Sequence, residues 1–253
     1  MFDRISLAGT EELVRPMRFL TFRAPTNNDW EDAKDWRYAG YDRSTVKVYA
    51  TDLRENNGCV EISCRFSIGS VARQPFIRAE AVWTADGCGT IRMKFHGQFD
   101  PVFPFLPRFG LSMSLPKDRT SWRYFGFGPW ESYPDKHLAS RMGLFSGEDY
   151  HSLLEDYVFP QENGSHFGCR MAEIGRVQAE GARPFSFQAL PYTVEEMDAK
   201  KHNFELEESD AVEAAFDYRQ SGVGSHSCGP KLAEKVQLKD PVIDWEMQFT
   251  FLP

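Results

Sequence analysis

The sequence predicts an all-β protein: a large antiparallel sandwich or barrel carrying a few short helices. Three observations lead there. Apolar and polar residues alternate with period two over many segments, the mark of strands with one face on a core and one in water. Gly, Pro, Asn and Asp separate these segments, as turns between short strands require. The regular strand–helix alternation that builds a parallel sheet is missing.

The elements follow in chain order. Asp29 is placed to cap a short helical segment running through Trp36. Val60, Ile62, Cys64, Phe66 and Ile68 alternate with Glu61, Ser63, Arg65 and Ser67. Ile77, Ala79, Ala81 and Trp83 repeat the pattern, and so do Ile91, Met93, Phe95, Gly97 and Phe99. Phe109, Leu111, Met113 and Leu115 give a fourth strand. Ser146 to Asp149 reads as a capping box before Tyr150, Leu153, Leu154 and Tyr157. Phe185, Phe187 and Ala189 are again strand-like. Thr193-Val194-Glu195-Glu196 opens a helix of about two turns to Lys201. Val212, Ala214, Phe216 and Tyr218, then Trp245, Met247, Phe249 and Phe251, complete the series. The richest proline stretch, Pro101 to Pro107, is apolar where a linker would be polar. One continuous domain over residues 1–253 is therefore expected.

Composition narrows the function. The net charge is −8, and basic residues are scattered, so no phosphate-binding footprint and no nucleic-acid partner are expected. No run of 18 apolar residues offers a membrane span. Residues 1–20 show no apolar leader core, so no signal peptide is expected. The cysteines, Cys59, Cys64, Cys88, Cys169 and Cys228, are odd in number and lack CxxC spacing. Free thiols and a cytoplasmic location are expected. Asn163-Gly164-Ser165 then reads as a turn, not a glycosylation site.

Three loops break the strand pattern: Arg23 to Trp30, Gly126 to Lys136 and Tyr157 to His166. Each mixes Gly or Pro with amides, carboxylates and aromatic rings. Rings stack on the C–H face of sugars, and amides and carboxylates bond hydroxyls, so such loops on a rigid scaffold suit carbohydrate contact. The same residues also build turns and fill cores. Glu131 and Glu162 form a possible carboxylate pair, although a role as acceptors for loop backbone donors fits them better. His166-x-x-Cys169 and His226-x-Cys228 are fragments of metal spacing with no second pair, so no metal site is expected. No phosphate loop or nucleophile elbow is present.

These loops carry a resemblance. RAPTNND (23–29), LPRFG (106–110), GFGPWESYPDKH (126–137), DYVFPQENGSHFGC (156–169), LPYT (190–193), HNFELE (202–207) and DYRQSGVGSHSCGP (217–230) occur in the order seen in one family. The chain closely resembles the C-terminal domain, or small chain, of family 2 β-galactosidases along nearly its whole length. The resemblance implies an antiparallel supersandwich of the galactose-mutarotase type. It implies hydrolysis of terminal β-galactosides such as lactose by a longer enzyme. Retaining glycosidases need two carboxyl groups about 5–5.5 Å apart, and in this family both lie on a TIM barrel with the magnesium site. No βα repeat of that kind occurs here. The resemblance therefore implies no catalytic residue and no cofactor in this chain. Its partner would be a catalytic barrel domain or large subunit, whose mouth it would narrow.

Substrate contact, on this resemblance, falls to Asn28, Trp30, His226, Ser227 and Cys228. At Cys228 the family carries a tryptophan that stacks on sugar, and a thiol loses that stacking. His226 beside it is placed to supply polar contact. The mobile segment after RAP is expected to be short or missing. Two alternatives remain: a stand-alone carbohydrate-binding module, and an aldose 1-epimerase-like enzyme using His96, His137, His151 or His166. No spacing groups those histidines.

Overall fold

The computed structural model describes residues 2–252. The strands are β1 (Ser6–Leu7), β2 (Thr10–Glu11), β3 (Arg15–Leu20), β4 (Ser44–Asn56), β5 (Cys59–Ser70), β6 (Ile77–Ala85) and β7 (Thr90–Phe99). They continue with β8 (Arg108–Pro116), β9 (Trp122–Gly128), β10 (Arg141–Gly147), β11 (His166–Ile174), β12 (Val177–Leu190), β13 (Ala211–Gln220) and β14 (Val242–Phe251). Two α-helices, α1 (Asp32–Ala39) and α2 (Val194–Ala199), lie among the described residues.

β1 and β2 form a small ribbon, and the other twelve strands form one antiparallel sheet. Its long path runs β10-β9-β11-β12-β14-β7-β6-β5-β4. β12 forks it. Residues Val177 to Gly181 pair with β14, whereas Ser186 to Leu190 pair with β13, which leads to β8 and β3. The two branches fold over each other and close a sandwich. Phe19 of β3 stands 5.5 Å from Phe66 of β5 and 5.6 Å from Phe95 of β7, ring centre to ring centre. Phe216 of β13 meets Phe249 of β14 at 5.3 Å. Aromatic rings thus fill much of the core: edge-on and offset ring pairs occupy the gap between the layers. Trp36, Phe109, Leu111, Phe187 and Phe216 are fully buried.

Every alternating segment read from the sequence is a strand of this sheet. The short helices differ in detail. Thr193 caps α2 through Glu196 N at 3.0 Å, but the helix ends at Ala199 rather than Lys201. Ser146 caps nothing, because it is still inside β10. Asp149 takes over and caps a single 3₁₀ turn, Tyr150–Leu153. α1 starts at Asp32 and carries on to Ala39, beyond Trp36. Asp29 supplies its backbone carbonyl to Ala33 N, while its carboxylate is engaged elsewhere.

Candidate functional site

The loops gather over a buried polar network at one end of the sandwich. Arg108, the first residue of β8, has no solvent exposure. Its Nε and Nη2 donate to both oxygens of Asp217 at 3.0 and 2.7 Å. Its Nη1 donates to Glu162 Oε2 at 3.2 Å and Gln188 Oε1 at 3.1 Å. Gln188 and Gln220 bring further amide donors to Glu162, at 2.7 and 3.3 Å, and Tyr133 adds its hydroxyl at 3.3 Å. Burial pushes Glu162 and Asp217 above the usual carboxylate range, and Arg108 pulls both back. A buried charge left without such partners would cost several kcal/mol.

A second buried arginine ties the loops to one another. Arg23 pairs with both oxygens of Asp29 at 3.1 and 2.8 Å. It also donates to the carbonyls of Ser221 and Gly222 at 2.7 and 2.8 Å. Burial alone would lower the Arg23 pKa; Asp29 reverses this and raises it. Asp29 Oδ2 closes the turn through Thr26 N at 2.9 Å. Asp135 accepts from Val223 N and Gly224 N, both at 2.9 Å. Glu131 takes Gly164 N at 2.8 Å and binds Lys136 and Tyr157. Four loops far apart in sequence are thereby stapled into one rigid rim.

The candidate residues divide on this rim. Trp30 is 52% exposed and borders an open cleft of about 540 Å³ with Asn27, Arg37, Phe159, Asp198 and Ser227. The ammonium of Lys34 lies 4.2 Å from one face of the Trp30 ring. Asn28 is turned inward, its amide donating to Val223 O at 2.6 Å. His226 is held by Asp32 of α1 at 2.9 Å, with a left-handed backbone of φ 95°. Cys228 is exposed and does not line the cleft. Trp30 and Ser227 are thus brought together, while Asn28 and His226 are spent on holding loops. After RAP the chain passes from Asp29 to α1 with only Trp30 and Glu31 between. Phe159 comes from the third of the loops read from the sequence, whereas sequence reasoning missed Arg37 on α1 and Asp198 on α2. It also missed the donors of Glu162, which are side chains and not loop backbone.

The remaining candidates scatter. His96 pairs with Asp244 on the outer sheet face at 2.7 Å. His151 sits with Asp149 at 2.6 Å. His166 is buried against Tyr124, ring centres 4.2 Å apart, and burial lowers its pKa to about 4. No group of three His, Cys, Asp or Glu side chains converges as a metal site among the described residues. No helix there is long and apolar enough to cross a membrane. The five cysteines form no disulfide.

The family model for the β-galactosidase small chain matches residues 2–252. The chain belongs to that family. This small chain is 37% identical over 244 residues to the β-galactosidase of Actinobacillus pleuropneumoniae, covering 95% of the chain and 24% of that protein. It is 34% identical over 237 residues to the β-galactosidase of Staphylococcus xylosus, covering 91% and 24%. The small chain spans about a quarter of the length of these relatives. Among solved structures it is similar to a GalM/aldose epimerase homologue from C. elegans, with TM-score 0.39 and 9% identity over 99% of the chain and 79% of that structure.

Proposed function

We propose that the chain is the non-catalytic part of a cytoplasmic β-galactosidase, a C-terminal domain or small subunit that completes the sugar-binding wall beside a catalytic barrel. The observation that carries this reading is the rim itself. The loops bearing the family motifs are cross-tied from beneath, so they hold a fixed shape and can serve as a wall. The rim is built to bind and not to cleave. Glu131 is consumed by Lys136, Tyr157 and Gly164 N, and Glu162 by Arg108 and two glutamines. Neither carboxyl group is free to attack a glycosidic carbon or protonate a leaving oxygen.

In this reading Trp30 offers its open ring face to the C–H side of a galactoside. Ser227 and Asn27 border the cleft within reach of the sugar's hydroxyls, as does the Arg37–Asp198 ion pair. His226 positions the 225–228 segment through Asp32, and Asn28 does the same through Val223. Cys228 contributes no stacking area. Cleavage, and the magnesium that the family resemblance assigns to the barrel, belong to the partner. The test is assembly. Mixed with the A. pleuropneumoniae enzyme deprived of its matching quarter, the chain should co-elute as a defined complex. In that complex Trp30→Ala should raise KM for lactose more than it lowers kcat. Failure to associate, or a Trp30→Ala complex with unchanged kinetics, contradicts the proposal.

A further inference from the structure

The outer face of strands β5, β6, β7 and β14 carries a polar trough that the loop rim does not use. Register places Arg65, Glu80, His96 and Asp244 directly side by side on four neighbouring strands. At about 4.8 Å per strand, this row spans roughly 14 Å. Ser67, Arg78 and Gln98 form the next row. A row of charges on an exposed sheet is ordinarily a solvated face. One feature of β4 argues otherwise. A bulge interrupts its pairing with β5, so that Val48 faces Phe66 and Ala50 faces Arg65, with Tyr49 as the extra residue. Bulges re-aim side chains. This one sends the Tyr49 ring over the polar face, where its hydroxyl meets Ser67 Oγ at 2.9 Å. The ring is held at one end and has the Lys47 ammonium 5.5 Å from its centre, yet it remains 53% exposed.

The result is a cleft of about 250 Å³ bordered by Tyr49, Arg65, Arg78, Glu80, His96 and Gln98. We infer that this trough is a second carbohydrate site, taking one neutral pyranose ring with Tyr49 as its platform. An aromatic face beside planar, two-sided hydrogen-bonding groups is the chemistry a sugar ring requires. Size selects a single ring, since drug-sized ligands occupy roughly 300–1,000 Å³. Charge does not call for an ionic ligand: Arg65, Arg78 and Lys47 stand against Glu80 and Asp244, leaving no strong excess of either sign. His96 is oriented by Asp244 at 2.7 Å, leaving its other ring nitrogen for a hydroxyl. The site lies on a different part of the sandwich from the Trp30 cleft and needs no partner chain.

The test is a titration of the isolated chain with methyl β-galactopyranoside, followed by backbone amide NMR shifts. Saturable shifts centred on residues 78–80 and 96–98 are expected. Tyr49→Ala should weaken them about tenfold, Tyr49→Trp should retain them, and Trp30→Ala should leave them unchanged. Both positions are solvent-facing, so the variants keep the fold. The proposal is overturned by absence of saturable shifts, by equal shifts with acyclic sorbitol, or by a response lost in Trp30→Ala but kept in Tyr49→Ala.

Discussion

Replacing Arg108 with methionine isolates the device that holds the rim. The substitution keeps most of the side-chain volume and removes four hydrogen bonds, three of them to carboxylates. Asp217 and Glu162 would then sit fully buried with only amide and hydroxyl donors. Breaking a buried pair by removing one partner costs about 3–5 kcal/mol, a large share of the roughly 5–15 kcal/mol that holds a domain together. For a chain of this size that corresponds to a fall in Tm of about 6–20 °C. The loss depends on pH with a definite sign. Burial already pushes both carboxyl groups up, and without Arg108 they rise further. A group whose folded pKa lies above its unfolded value, near 4 for a carboxyl, stabilises at low pH, and that contribution is lost as pH rises. The deficit of Arg108→Met should therefore be largest near neutrality and shrink as pH falls toward about 5. Adding Glu162→Gln and Asp217→Asn should recover part of it. Urea melts at a series of pH values read these outcomes. A deficit under about 1 kcal/mol at pH 7, or one that grows on acidification, refutes the reasoning.

Other outcomes follow from the same geometry. His166 is neutral in the fold, with its pKa lowered to about 4, against about 6.5 when unfolded. Its contribution is present above pH 6.5 and lost as pH falls through 4, worth about 3 kcal/mol; His166→Phe should flatten that limb of the stability profile measured by thermal melts. Asp135→Ala releases Val223 N and Gly224 N, so hydrogen exchange should rise over residues 222–228 while the global melt moves little. A side chain at Gly222 would collide with the Asp135 carboxylate, so Gly222→Ala should produce the same exchange signature. Exposed Cys88 and Cys228 should react at once with a thiol reagent in native protein. Buried Cys169, whose thiol burial pushes well up, should react only on unfolding.

Legibility in the sequence followed burial. The Ile91–Phe99 alternation is β7 but for its first residue, Thr90, because one face meets core and the other meets water. β4 gave no such signal: it is an edge strand, solvated on both faces, so nothing selects alternation. β3 was hidden by the pairing shift between Arg15 and Arg18, which breaks the period of two. β11 contains two such shifts around Gly168, at φ 71°. At the site, the turn-forming residues marked the loops as special. What joins them was invisible, because Arg108 and Asp217 are 109 positions apart, and Arg23 and Ser221 are 198 apart. Asp29 illustrates the ambiguity: the same residue type suits a helix cap and an arginine clamp, and only the fold, by burying Arg23 beside it, selects the clamp.

The most direct test of the proposed division of labour is hydrolysis of a nitrophenyl β-galactoside. The chain alone should release no nitrophenol above the buffer rate. The catalytic remainder of a relative should be feeble alone and should gain activity in proportion to added chain until a one-to-one ratio is reached. Turnover by the isolated chain, or a catalytic remainder indifferent to its addition, would contradict the account.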